Sequence, residues 1–205
     1  MNHDLIASMW AAHNTGLAFI SQTIHRKGGF THEKHMHVKS EARGSRLSFR
    51  GDTISSYHWW PFGQFATNEA GEKAVLFRSH RYSSSTGKHQ NYARRALRTY
   101  ADEVPVFDVH DDMDASHGER IKGYMQRVRD GFDLALRART QAGRHIEHAG
   151  AEHDEMLAYA RFFNVEIPAW ANPFATPGEV GAMEAKLTEL SIKTGIPINS
   201  FWRTA

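Results

Sequence analysis

The stretch that decides the fold runs from residue 46 to residue 101, RLSFRGDTISSYHWWPFGQFATNEAGEKAVLFRSHRYSSSTGKHQNYARRALRTYA. Its first half sets apolar residues in short alternating runs: Leu47 and Phe49, then Ile54, then Trp59-Trp60 with Phe62 and Phe65, and finally Ala74-Val75-Leu76-Phe77. Period-two spacing of branched and aromatic residues belongs to strands with one buried face. Gly51-Asp52 and residues 68–72 have hairpin-turn composition, so a meander of three or four antiparallel strands is expected. Pro61 falls at an edge or bend, because proline donates no ladder hydrogen bond. At Ser83-Ser84-Ser85-Thr86 the period changes. Hydroxyls suited to capping precede residues 88–101, where Ala93, Ala96, Leu97 and Tyr100 share one helical stripe. The expected fold is α+β: a small antiparallel meander packed on a helix.

Working outward, Leu5, Met9, Ala12 and Leu17 recur near helical period, which predicts an N-terminal helix over 4–20 with Asp4 as its cap. Residues 28–44 are polar, basic and rich in histidine, bounded by Gly28-Gly29 and Gly44-Ser45, and read as a loop or mobile arm. After Val104-Pro105 an acidic loop spans 108–114. From 119 to 164 there is no proline, and Ile121, Met125, Val128, Phe132 and Leu136 form a helical stripe that Ile146, Met156, Leu157, Ala160 and Phe163 resume. These are two helices, or one interrupted near Gly143 or Gly150. Pro168, Pro173 and Pro177 make an extended connector. Thr176 with Pro177 opens a last helix to about Lys193, which Thr194-Gly195 stops, and Ile198, Phe201 and Trp202 in the tail dock on the body or on a partner. The expected organisation is thus 1–45, an N-terminal helix with a His-rich arm; 46–105, the α+β domain; and 106–205, a helical region.

With 205 residues, 40% of them hydrophobic, the chain can bury a real core. Its lack of cysteine excludes disulfides, thiolate nucleophiles and cysteine-bound metals, and suits a reducing compartment. No apolar run approaches a membrane span, and the first ten residues do not read as a signal peptide, so a soluble protein is expected. The formal net charge of +2 conceals strong sorting. Residues 73–98 carry Lys73, Arg78, Arg81, Lys88, Arg94, Arg95 and Arg98 with no acid. Residues 99–119 carry Asp102, Glu103, Asp108, Asp111, Asp112, Asp114 and Glu119 with no lysine or arginine. Such blocks either give faces of opposite potential or neutralise one another within the fold.

The basic block supplies the main candidate site. On the helix after Ser83, residues Lys88, Asn91, Arg95 and Arg98 align at three- and four-residue steps with Arg94 adjacent, opposite the apolar stripe. Ser85, Thr86 and Arg81 would add hydroxyls and charge at the helix N-terminus, where free N–H groups welcome an anion. A nucleotide-binding loop is a poor match: Tyr82 stands where its first glycine belongs and His89 where its magnesium-binding hydroxyl belongs. Aromatic residues interleave with cations at Tyr57-His58-Trp59-Trp60-Pro61-Phe62 and Arg81-Tyr82, a composition suited to stacking on unpaired bases. Alternation allows at most one of Trp59 and Trp60 to face a ligand.

The 14 histidines give weaker candidates. His32, His35 and His37 permit chelation, but Lys34 and Lys39 oppose a cation. His145, His148 and Glu152 fall on one helical stripe without the spacing of a zinc protease, and Asp108 and Asp112 sit in an oxygen-rich loop that lacks an EF-hand pattern.

Leu47–Tyr57, Lys73–Phe77 and Tyr82–Gln90 with Arg94-Arg95-Ala96-Leu97 together resemble a small domain recurrent in bacteriophage and prophage proteins, over about residues 44–101. That family has a strand with a Ser-Tyr core, an apolar strand, and a Tyr-Ser-x-x-Thr-x-x-His-Gln turn into a helix, which Tyr82, Ser83, Thr86, His89 and Gln90 match. The Trp59-Trp60 pair and Gly87 depart from it. The resemblance implies viral provenance and an α+β domain, and no reaction.

The leading expectation is therefore a non-catalytic phage-derived binding protein presenting a basic helix to nucleic acid or to a host nucleic-acid complex, in the bacterial cytoplasm or in the virion. A second is an assembly protein, in the virion or as a host-protein inhibitor, acting through protein contacts that include homo-oligomers. The third is a metal-dependent hydrolase built from the His and Asp groups. No cofactor and no membrane partner are expected.

Overall fold

The computed structural model describes residues 2–25, 31–80, 82–110, 112–167, 185 and 188–196. The fold is mixed α+β, and the chain divides into two compact units, 1–113 and 114–205. The proline-rich connector, most of the last helix and the aromatic tail lie outside the described residues. Among the described residues no helix is long and apolar enough to cross a membrane.

In the first unit α1 (His3–Asn14) is followed by a two-stranded hairpin, β1 (Phe19–His25) with β2 (Thr31–His37). Then come β3 (Glu41–Arg43), β4 (Leu47–Arg50), β5 (Thr53–Ser56), β6 (Trp60–Thr67), β7 (Lys73–Phe77), α2 (Ser84–Tyr100) and β8 (Val106–Asp108). Strands β3 to β8 form one sheet in sequential order. The meander from β4 to β7 is antiparallel as the alternation predicts, with a register shift at Ile54/Ser55 where β6 brings in Pro61 opposite Ser55. β8 pairs parallel to β7, Val75 opposite Val106. A parallel neighbour requires a crossover, which α2 supplies. That strand was not expected, because Val-Phe-Asp after Pro105 is too short to show a period.

Three expectations are corrected. Helix α1 stops at Asn14 rather than near residue 20, since the Thr15 hydroxyl donates to the Ala11 carbonyl at 3.1 Å and Gly16 turns the chain at φ 78°. Its cap is Asn2, whose side chain accepts the Leu5 N–H at 2.7 Å; Asp4 lies inside the first turn, where its charge complements the helix dipole. Residues 28–44, read as a loop, contain β2 and β3. β2 lacks apolar alternation, and it is held by its backbone ladder and by one cross-strand apolar pair, buried Ile20 opposite half-buried Met36.

Helices α1 and α2 share a core with the sheet. Trp10 is fully buried, its indole N–H donates to the Asp52 carbonyl at 2.7 Å, and its ring meets Phe65 edge to face at 5.0 Å. Gly63 makes room for it: a Cβ there would lie 2.9 Å from Ile54 Cγ2 and 3.1 Å from the Trp10 ring. Truncating a ring so enclosed costs about 3–5 kcal/mol.

The second unit is a helical hairpin of α3 (His117–Arg137) and α4 (Ala142–Phe162). The break falls at 138–141, where Gln141 takes a left-handed backbone (φ 66°), so Gly143 and Gly150 both lie inside α4. Ser116 and Glu119 form a reciprocal capping box at the start of α3. The helices come close at Gly131, where a Cβ would meet the Ala149 Cβ at 2.9 Å. Val128, Phe132, Ile146 and Ala149 fill the seam, and Leu190 from the final helix packs onto it.

Candidate functional site

The site is built on α2, and buried polar groups set the helix's rotation. Ser83 caps it, accepting the Thr86 N–H at 3.2 Å, and its hydroxyl lies 3.1 Å from that of the buried Thr86. His89, almost wholly enclosed, bonds through Nδ1 to the buried Ser56 hydroxyl at 2.7 Å, which ties the helix to the end of β5. Gln90 donates to the Arg78 and His80 carbonyls at 2.6 and 2.9 Å, which ties it to the exit of β7. Ser83, Thr86, His89 and Gln90 thus form a cap and two staples. Burial, with the nearby His3 and Arg46 adding smaller effects, pushes the His89 imidazole down to about 4, so it is neutral at pH 7.

With α2 pinned in this phase, Lys88, Asn91, Arg95 and Arg98 turn outward together. They line an open groove of about 660 Å3 with Tyr92 and Thr99. Arg95 pairs with Asp4 of α1 at 2.8 Å, both side chains more than half exposed, and lies over the Tyr92 ring at 5.3 Å. Arg98 reaches the Arg94 carbonyl at 3.4 Å. Arg94 turns away from the groove, its guanidinium 4.6 Å from the centre of the Phe77 ring. Arg78 is buried, bonded to Asp112 at 2.9 Å and set over Trp60 at 5.3 Å. Ser85 is half-buried beside the Tyr57 phenol, and Arg81 lies outside the described residues.

Beyond the N-terminal end of α2 lies a group that charge patterning did not reveal. Tyr57 and His58 both take left-handed backbones, at φ 52° and 67°, and the Tyr57 N–H donates to the Arg46 carbonyl at 2.6 Å. Hydrogen bonds with Ser85 and Ser83 and the charge of Arg46 outweigh burial and hold the Tyr57 phenol below its ordinary value. Exposed Arg46 also lies 5.9 Å from the Tyr57 ring centre. The turn presents Trp59, 62% exposed, edge to face with Tyr82, 64% exposed, at 5.9 Å. Trp60 instead folds back and stacks on Phe62, so one tryptophan of the pair is presented. Arg46 reaches Tyr57 because the β4–β5 pairing that sets Leu47 opposite Ser56 continues by one residue.

Several of the metal candidates have other partners, and the side chain of His32 lies outside the described residues. Glu152 is buried and accepts from Arg127 Nε at 2.7 Å, with His148 Nδ1 3.9 Å away on the same helix and His145 half-buried. Asp108 accepts the Ser79 N–H at 3.0 Å, and Asp112 holds Arg78. His35 bonds the Ser21 hydroxyl at 2.9 Å, and His37 rests against Phe19. Among the described residues no three His, Asp or Glu side chains stand together as a metal site would require. Compared with known proteins, the chain matches no family model, no curated protein and no solved structure.

Proposed function

We propose that this chain is a non-catalytic, phage-derived binding protein whose helix α2 offers its basic face to nucleic acid. The observation that carries the reading is the groove in which Lys88, Asn91, Arg95 and Arg98 stand side by side on a helix without an acidic residue. Such a face neutralises successive phosphates and gains free energy by releasing counterions. Arg adds forked, bidentate contacts that suit phosphate, and Asn91 and Thr99 add neutral hydrogen-bonding groups. The single acid beside the groove, Asp4, is no obstacle. An exposed pair such as Asp4–Arg95 contributes only about 0–1 kcal/mol and is readily exchanged for a phosphate.

The test is fluorescence anisotropy with labelled oligonucleotides over a salt series. Replacing Lys88, Arg95 and Arg98 together by Ala should weaken binding by about a hundredfold or more at low salt and flatten the log–log salt slope by about 2–3. Unchanged affinity and slope in that variant would sink the proposal.

A further inference from the structure

We infer that the interface is built for unpaired bases: Trp59 and Tyr82 form a stacking platform for single-stranded nucleic acid at the N-terminal end of α2. The inference rests on the reading of α2 as a nucleic-acid face and names the form of nucleic acid it takes. Among the described residues of this unit, the phenylalanine, tyrosine and tryptophan rings most open to water are Trp59 and Tyr82, with Phe19 53% exposed on the separate β1–β2 hairpin. Trp10, Phe62 and Phe77 are buried, whereas Trp59 and Tyr82 are left largely in water beside each other. Their edge-to-face arrangement leaves at least one flat side of each ring uncovered by the other.

The exposure is built in, because two successive left-handed residues throw Trp59 outward while its neighbour returns to the core. Each left-handed non-glycine residue is strained and persists only where its surroundings hold it. Here the Arg46 carbonyl holds Tyr57, and the Ser45 carbonyl lies 3.2 Å from His58 Nε2.

The surrounding charge selects the occupant. Exposed Arg46 lies on one side of the turn, and Lys88 stands one turn into α2 at the start of the row that continues to Arg95 and Arg98. From Ser84 to Arg98 the helix advances about 21 Å, so a strand whose base stacks at the platform can lay its phosphates along the row. Splayed bases on aromatic rings with cations tracking the backbone is the general chemistry of single-strand recognition. A duplex hides its base faces and would leave both rings without a partner.

The experiment uses the full chain, a labelled 20-nucleotide oligo-dT, the matching oligo-rU and a 20-base-pair duplex. Wild type should prefer the single strands and show quenched tryptophan emission on binding, with the quench lost in Trp59→Phe. Trp59→Ala and Tyr82→Ala should each weaken single-strand binding by about tenfold or more while duplex binding changes by less than twofold, and Trp59→Phe should keep most of the affinity. Equal affinity of wild type for single strand and duplex, or single-strand affinity unchanged in both alanine variants, overturns the platform and leaves the basic face standing. Absence of binding to any of the three oligonucleotides overturns both.

Discussion

Helices α2 and α3 carry similar numbers of cations and use them differently. On α2 the cations Lys88, Arg95 and Arg98 stand on one outward stripe with no acid among them. On α3 the cations are dispersed. Arg120 is buried, Arg127 turns inward to Glu152, and Arg137 lies 3.8 Å from Asp133. Gln126 meets Asp130, a further acid on the same outer surface. What separates the two helices is where the pair to the neighbouring helix lies. α2 packs on the sheet and on α1, and its pair across to α1, Arg95 with Asp4, is exposed to water. α3 meets α4, and its pair across that seam, Arg127 with Glu152, is largely enclosed. A count of arginines therefore says little about a binding face; the phase of the helix and the acids within reach decide it.

The comparison can be broken at several points. The largest effect is expected at the buried pair of the second unit. Glu152→Ala leaves the Arg127 guanidinium enclosed without its carboxylate and should cost about 3–5 kcal/mol in urea unfolding, whereas Asp4→Ala, which frees the exposed Arg95, should cost under about 1 kcal/mol. Equal losses would mean that the two ion pairs are not the different things their burial suggests. Next comes the contrast in binding. Removing three exposed cations of α3, Lys122, Arg129 and Arg137, should change oligonucleotide affinity by less than about threefold, against a hundredfold, about 2.7 kcal/mol, for the α2 triple variant. A comparable loss from both would make binding a matter of total charge.

A smaller effect tests the staple that sets the phase of α2. Folded, His89 stays neutral down to about pH 4, whereas in the unfolded chain it titrates near its ordinary 6.5. The unfolded state thus binds the extra proton first. The stability due to the neutral ring is full above about pH 6.5 and is lost as the pH falls toward 4. The urea midpoint should drop over that interval by the equivalent of about 1–3 kcal/mol more in wild type than in His89→Gln, and parallel pH profiles for the two proteins would remove His89 from the account. Smallest are the caps. Ser83→Ala and Ser116→Ala should each cost about 1 kcal/mol, and Ser83→Ala alone should also weaken oligonucleotide binding, by loosening the end of α2 beside the platform.

Much of this was legible in the residues. The meander announced itself through alternation at Leu47, Phe49 and Ile54 and through the apolar run 74–77, because one face of those strands is buried and the other is not. The row Lys88, Asn91, Arg95 and Arg98 followed from helical period alone. The hairpin β1–β2 was hidden, since its second strand, THEKHMH, carries a single apolar residue, Met36, and is held by backbone bonds that leave no trace in composition. β8 was hidden for the opposite reason: three residues are too few for any period, and their pairing is set by where α2 returns the chain. The histidines gave only weak candidates because abundance carries no geometry: His35 bonds the Ser21 hydroxyl, His37 packs on Phe19 and His58 meets the Ser45 carbonyl.

The sequence by itself determined the strands of the meander, the presence of the four long helices, and which α2 residues share a stripe, since all of these depend on spacing along the chain. Only the tertiary structure decided that Arg78 would be buried and Arg94 drawn to Phe77, that Arg46 would reach Tyr57, and that Trp59 rather than Trp60 would face water. Those outcomes depend on which segments meet across the sheet and on two left-handed residues in one turn. The free energy that holds them there comes from neighbours distant in sequence, and no local pattern can encode it.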